Sequence, residues 1–298
     1  MAPTHTTDVY HSRALPTWEI AERVDPVVWG SAAAAGPLSS AQVETYAERG
    51  FLVLPQLFSP AEISQLTAEA TRVLDTADRT RDDVIIEPGS DTVRSVFRVH
   101  RDSAVMRRFV ADIRVAGAAR QLLGGDVYIH QSRVNFKAAF EGKAFPWHSD
   151  FETWHIEDGM PRMRALSASI LLTPNTEHNG PLMVIPGSHR RYVRCIGETP
   201  TNHFRQSLRK QEYGVPDREA LTALAGDGGY ASCVGGPGTV VLFDCNLMHG
   251  SGGNITSLPR HNVFVVYNSV ENRLVEPFGG RPARPQFLAE RDELALAR

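Results

Sequence analysis

Cysteine is scarce in this chain of 298 residues. There are three, Cys195, Cys233 and Cys245, far apart and without a CxxC spacing. An odd, scattered set argues against a disulfide framework and points to a reducing compartment, so the cytoplasm is the expected location. Long apolar runs are missing too. No stretch approaches the roughly 18 residues of a membrane span, and MAPTHTTDVYHSR has no apolar h-region. Charge excess is also missing. A net charge of -3 and a pI near 6.4 give no electrostatic reason to expect nucleic acid or an anionic membrane as partner. The one small-residue stretch, SAAAAGPLSS, is too short for an anchor and reads as a linker or a loose helix end.

What is present is ordinary globular composition, 42% hydrophobic and 22% charged. Helical patterning starts at Leu38. Ser39 or Ser40 can cap a helix that ends at Gly50, and FLVLP follows as a short strand. Ser59 caps a second helix, with Pro60 at its first position and Ile63, Leu66, Ala70 and Val73 on its apolar face. A third helix is predicted over SAVMRRFVADIRVAGAARQLL, stopped by Gly124-Gly125. Short β-type runs then dominate, namely VYIHQSRVNFKA, ALSASILLT, PLMVIPGS, GTVVLFDCNLMHG and HNVFVVYNSV. Helices first and strands later predict an α+β chain whose β half is a sandwich, barrel or jelly roll. No internal repeat or long linker forces a division, so one domain over 1–298 is expected. It divides into an extension (1–37), a mainly helical support (38–125), a β core (126–272) and a tail (273–298). The run RPQFLAERDELALAR is expected to close the chain as a short helix.

One stretch departs from routine patterning. FPWHSDFETWHIEDGMP, Phe145 to Pro161, combines aromatics, histidines and carboxylates more densely than a buried strand or a solvated loop requires. In it, His148 and Asp150 stand at i and i+2. If the segment is extended, both point to one face and can share an ion. Alone this is a weak signal in a chain with 11 His, since chance supplies such pairs and His155-Ile156-Glu157 is a second one nearby. A third candidate ligand, His249, follows the apolar strand of GTVVLFDCNLMHG. Two His and one carboxylate with open positions suit a non-haem Fe(II). Zinc remains an alternative, although a closed zinc site would need a fourth protein ligand and no cysteine is well placed. Eleven residues past His249 stands Arg260, able to project from the last core strand and grip a carboxylate bidentately.

The order HxD, distal His and Arg at +11, with NGPLMVIPGSHR between, resembles the phytanoyl-CoA dioxygenase-like Fe(II)/2-oxoglutarate oxygenases. Within them, the Phe145–Pro161 stretch is similar to the signature of ectoine hydroxylases, without a departure. The likeness extends from DPVVWG and GFLVLPQLF through DVYIHQSRVNFKAAFEGKAF to VYNSVENRL. The resemblance implies a double-stranded β-helix, a cupin-like jelly roll flanked by N-terminal helices. It implies Fe(II) on His148, Asp150 and His249, with 2-oxoglutarate and O2 as co-substrates. By the same likeness Lys137 and Arg260 bind the oxoglutarate carboxylates, with Asn135 and Ser251 as further polar contacts. Lys137 reads from the residues alone as solvated.

Ectoine, hydroxylated to 5-hydroxyectoine with release of succinate and CO2, is the implied substrate. It is a small cyclic amidine with one carboxylate. Trp154 is the candidate aromatic face for its delocalised cation, and Gln131 a donor and acceptor for its polar edge. His155 and Glu157 are assigned to support rather than to metal. A same-family hydroxylase of a free cyclic amino acid such as proline is the nearest alternative. A non-catalytic metal-binding jelly roll is the more distant one. Oligomeric state is not legible, and a homodimer is compatible with everything above.

Overall fold

The computed structural model describes residues 8–31, 35–200, 203–208, 211–292 and 296. Part of the SAAAAGPLSS stretch and part of the expected terminal helix therefore lie outside the described residues. The strands are β1 (Glu19–Glu22), β2 (Phe51–Leu54), β3 (Val84–Ile86), β4 (Val93–Phe97), β5 (Val127–Lys137), β6 (Phe145–His148) and β7 (Ala165–Leu171). They continue with β8 (Leu182–Val184), β9 (Arg191–Arg194), β10 (Ala231–Cys233), β11 (Val240–Asp244), β12 (His249–Ser251) and β13 (Arg260–Ser269). A seven-stranded sheet runs β2-β11-β7-β13-β5-β4-β3 and a four-stranded sheet runs β10-β8-β12-β6, while β1 pairs with β9 alone. All of these strand pairings are antiparallel. Strands of the helical support, β2, β3 and β4, thus belong to the same large sheet as the core strands.

Side-chain alternation explains the layering. On β13, Val263 and Val265 join an apolar cluster with Leu66, Phe109 and Leu122 of the N-terminal helices. Phe264, between them, turns to the other face and packs with Leu182 and Val184 of the small sheet. On β11, Val240 and Leu242 point to the helices while Val241 and Phe243 point inward. The helices therefore close one face of the large sheet, and the small sheet covers the other. This is the α+β jelly roll the sequence led us to expect.

The first two helices form where their caps place them. Helix α1 (Ser40–Arg49) is capped by Ser39 in a reciprocal pair with Gln42, and ends at Gly50, whose φ of 78° is the left-handed conformation glycine adopts most readily. Helix α2 (Pro60–Asp75) starts at Ser59, which pairs reciprocally with Glu62. The third helix departs from expectation. It breaks after Ala111, because Asp112 adopts an extended ψ of 134° and its carboxylate accepts the Arg114 N–H, starting a new turn. A helix over Ala104–Val110, a wide turn over Ile113–Gly117 and a helix over Ala118–Leu123 result. The tail also differs. Residues 284–292 are not helical, since the backbone is taken up elsewhere: the Glu290 N–H donates to the His130 carbonyl, and the Gln131 amide donates to the Leu288 carbonyl. No helix among the described residues is long and apolar enough to cross a membrane.

The N-terminal segment is strapped to the core by charge. Arg23 donates to Asp244 at 2.8 Å, and both side chains are buried. Asp244 ends β11 and also accepts the Asn246 N–H, so it shapes the turn that delivers His249. Asp244→Ala should lower unfolding stability by about 3–5 kcal/mol, because it leaves a buried guanidinium without its counter-charge. Urea denaturation measures this, and a change within about 0.5 kcal/mol, the range of neutral surface substitutions, would contradict it.

Candidate active site

His148 closes β6 and His249 opens β12, and the two residues are direct register partners. Pairing brings the imidazoles side by side, with ring centroids 4.2 Å apart. The route to Asp150 corrects the expected extended i, i+2 geometry. Ser149 is extended, but the chain turns into a short helix at Asp150 (Asp150–Thr153). The carboxylate still faces both rings, with Oδ1 3.5 Å from His148 Nε2 and Oδ2 3.9 Å from His249 Nε2. Ligand-type atoms of the three residues all lie within 4.8 Å of one another.

Hydrogen bonds settle which nitrogens are available. His148 Nδ1 lies 2.8 Å from the Pro146 carbonyl, and His249 Nδ1 lies 2.9 Å from the Leu247 carbonyl. A carbonyl only accepts, so Nδ1 of each ring donates and each Nε2 is the atom turned towards Asp150. Burial pushes the His249 pKa down to about 4, with His148 adding to the effect, so the ring is neutral near pH 7. Burial alone would raise Asp150, but His249, His148 and Arg133 outweigh it and hold the carboxyl below its ordinary range. Two imidazoles and one carboxylate converging on a point are a fitting donor set for Fe(II).

A cavity of about 140 Å³ opens on this face. One end is cationic. Lys137 and Arg260 are register partners across β5 and β13, and both are buried. Lys137 is not solvated as its sequence context suggested. Its ammonium donates to Ser251 Oγ at 2.9 Å and to the Gly252 carbonyl at 2.5 Å. Burial, with Arg260 and Arg94 nearby, pushes its pKa down to about 6. Arg260 is pushed down to about 10 by burial and Arg94, and its Nε lacks a hydrogen-bond partner. Crowded, desolvated cations of this kind call for an anion. Asn135 lines the same end, its Oδ1 accepting from Ser95 Oγ at 2.7 Å.

Gln131 and Trp154 line the cavity as well. The Gln131 amide is already engaged at both ends, donating to the Leu288 carbonyl and accepting from Arg133. Trp154 opens a wide turn (Trp154–Asp158), is 3% exposed, and meets His130 edge-on at 5.1 Å. It packs with Tyr10, Phe151 and Met163, so one side chain serves both cavity wall and core. His155 stands apart from the metal triad. Its Nε2 is 2.9 Å from Asp8, its Nδ1 2.8 Å from the Met160 carbonyl, and its ring stacks on Phe278. Glu157 is held by Arg13 at 2.7 Å.

Sequence reasoning missed three arginines that line the cavity, Arg94, Arg133 and Arg284. Arg133 was within reach. Gln131, Arg133, Asn135 and Lys137 alternate along β5 and so share one face, and the first, third and fourth had been singled out. Its guanidinium lies between the Phe264 and Phe97 rings, 4.9 and 5.7 Å from their centroids. Arg284 comes from the tail, where no periodicity marks it. It forms a two-pronged pair with Asp158, at 2.8 and 2.6 Å.

Residues 46–262 match the phytanoyl-CoA dioxygenase (PhyH) family. The chain is 54% identical over 292 residues to the ectoine dioxygenase of Sphingopyxis alaskensis, covering 98% of this chain and 95% of that one. EctD from S. alaskensis, solved with 2-oxoglutarate and 5-hydroxyectoine, matches with a TM-score of 0.88 at 50% identity, covering 97% of this chain and 96% of that one. The structure of EctD from S. alaskensis with bound Fe matches at 0.86 and 49% identity, covering 97% of each chain. This chain therefore belongs to the phytanoyl-CoA dioxygenase family, and within it to the ectoine dioxygenases.

Proposed function

We propose that this protein hydroxylates ectoine to 5-hydroxyectoine, with 2-oxoglutarate converted to succinate and carbon dioxide. The observation that carries the reading is the placement of the Phe145–Pro161 stretch. Within ten residues it supplies two ligands of the triad, His148 and Asp150, and two cavity-wall residues, Trp154 and Glu157. Fe(II), when bound to His148, Asp150 and His249, supplies the oxygen activation that couples decarboxylation to hydroxylation.

The chain's own groups do the rest. Arg260 and Lys137 hold the carboxylates of 2-oxoglutarate, with Ser251 and Asn135 as polar neighbours. A non-catalytic jelly roll would have no use for a buried Arg260 whose Nε lacks a partner, beside a buried Lys137, so that alternative is disfavoured. Trp154 offers its ring to the substrate amidinium, and the fixed Gln131 amide orients the polar edge without reorganising. Free proline lacks a delocalised cation and fits this wall less well. The three free, buried cysteines agree with a reducing cytoplasm as the site of action.

Succinate and hydroxylated product, measured for ectoine and proline at equal concentration, test the reading. Ectoine should give the two in equal amounts, and proline should give mainly succinate. Trp154→Ala should weaken ectoine use by about 1–2 kcal/mol while oxoglutarate dependence stays nearly unchanged, and Trp154→Phe should fall between it and the wild type. Coupled hydroxylation of proline with ectoine inert would overturn the substrate assignment.

A further inference from the structure

The carboxylates of the 150–158 turn are each committed. Asp150 faces the imidazoles, and Asp158 is gripped by Arg284 from the tail. The remaining two, Glu152 and Glu157, converge on a single residue from the far N-terminus. Arg13 donates through Nε and Nη2 to the two oxygens of Glu152, at 3.0 and 2.7 Å, and through Nη1 to Glu157 and to Thr199, both at 2.7 Å. Its Nη2 also lies 3.5 Å from Thr153 Oγ1. Ser12 adds a second grip, donating to Glu152 at 2.7 Å.

This contact is built rather than incidental. The Arg13 side chain is 3% exposed, and the partner carboxylates are 1% and 7% exposed. The Arg13 backbone takes a φ of 57°, an unfavourable left-handed conformation for a residue with a side chain, and is held there as its N–H donates to the Cys195 carbonyl. Opposite stands Gly214, where an added Cβ would lie 2.2 Å from Glu152 and 2.6 Å from Arg13. A side chain there would press on the pair, and the φ of +68° is one that glycine adopts most readily. Of the groups Arg13 holds, Thr153 and Glu157 line the cavity on either side of Trp154.

We propose that Arg13 is a positioning residue for substrate binding, setting the cavity wall formed by Thr153, Trp154 and Glu157 from behind. The fork geometry matters because it fixes two carboxylates five residues apart, brought to one face by the wide turn, in a single plane of donors, which a point charge cannot do. Arg284, gripping the end of the same turn, completes a clamp whose two arms come from opposite ends of the chain. The identity of the substrate in this inference rests on the function proposed above, but the ordering of the turn does not.

The full-length iron-loaded enzyme tests it, using wild type, Arg13→Lys, Arg13→Gln, Glu157→Gln and the Arg13→Gln/Glu157→Gln double variant. Arg13→Gln should raise the KM for ectoine about 10- to 100-fold, the range for groups that orient binding residues without touching ligand, while the KM for 2-oxoglutarate stays within about twofold. Arg13→Lys should recover only part of the loss. The double variant should be no worse than the poorer of Arg13→Gln and Glu157→Gln, since the contact Glu157→Gln breaks is one that Arg13→Gln has already broken. Amide hydrogen exchange should quicken over residues 151–158 in Arg13→Gln and stay unchanged over β13. An unchanged KM for ectoine, parallel rises in both KM values, or faster exchange spread equally over β13 would each overturn the proposal. A wild-type enzyme inert towards ectoine would instead overturn the function above, and the exchange comparison would still decide the role of Arg13.

Discussion

Asp150→Ala enzyme should form no succinate above background when supplied with Fe(II), 2-oxoglutarate and ectoine, and His148→Ala and His249→Ala should behave alike. The three side chains are the complete set of candidate ligands clustered among the described residues. Removing one leaves two donors, which no longer define the three-point face that leaves open positions for co-substrates. Asp150 matters for charge as well. Without it, two imidazoles with centroids 4.2 Å apart would hold a dication in a buried site with no protein anion beside it. His155→Ala, by contrast, should retain iron, because both its ring nitrogens are committed to Asp8 and the Met160 carbonyl. Anaerobic Fe(II) titration distinguishes the four variants. Loss of iron from His155→Ala with retention in His148→Ala would overturn the ligand assignment.

Arg260→Ala should raise the 2-oxoglutarate requirement steeply. The guanidinium is buried, and Arg94 adds positive charge beside it. In the empty protein it is a burden, and in the presence of a dicarboxylate it is a strong partner. Truncating one member of such a buried charge pair costs about 2–5 kcal/mol, which is on the order of 30- to several thousand-fold in affinity. Arg260→Lys should recover only part of this, because an ammonium cannot reproduce a two-pronged contact. The protein without co-substrate should lose no stability in Arg260→Ala, since an unpartnered Nε is removed with the charge. Steady-state kinetics against 2-oxoglutarate, with thermal unfolding of the unliganded protein, measures both halves. An unchanged oxoglutarate dependence would move the clamp to another group.

Much of the molecule could be read from residues alone because its signals are local. Ser39 with Gln42, Ser59 with Glu62 and the left-handed Gly50 and Gly124 are cap chemistry contained within a few positions, and α1 and α2 form where those caps lie. The long strands β5, β7, β11 and β13 announce themselves by apolar, β-branched runs. The metal triad was legible through the order HxD, distal His and Arg at +11 and the family resemblance it carries, since the HxD pair alone is weak in a chain with 11 His.

What the sequence left undetermined depends on partners remote along the chain. Lys137 looked solvated because nothing near it in sequence shows that Arg260 and Ser251 enclose it from β13 and β12. The third helix was expected to be continuous, since its apolar period survives the break that the Asp112 cap imposes. Short strands such as β3, β6 and β10 have too few residues to carry a period and exist only because a neighbour pairs with them. The tail forgoes a helix because β5 competes for its backbone hydrogen bonds. Arg13 and Arg284 are isolated charges in segments without pattern, more than 120 residues from the carboxylates they hold. Local chemistry thus determined the caps and the long strands. Only tertiary packing decided which charges were buried together, because desolvation is a property of the surroundings and not of the residue.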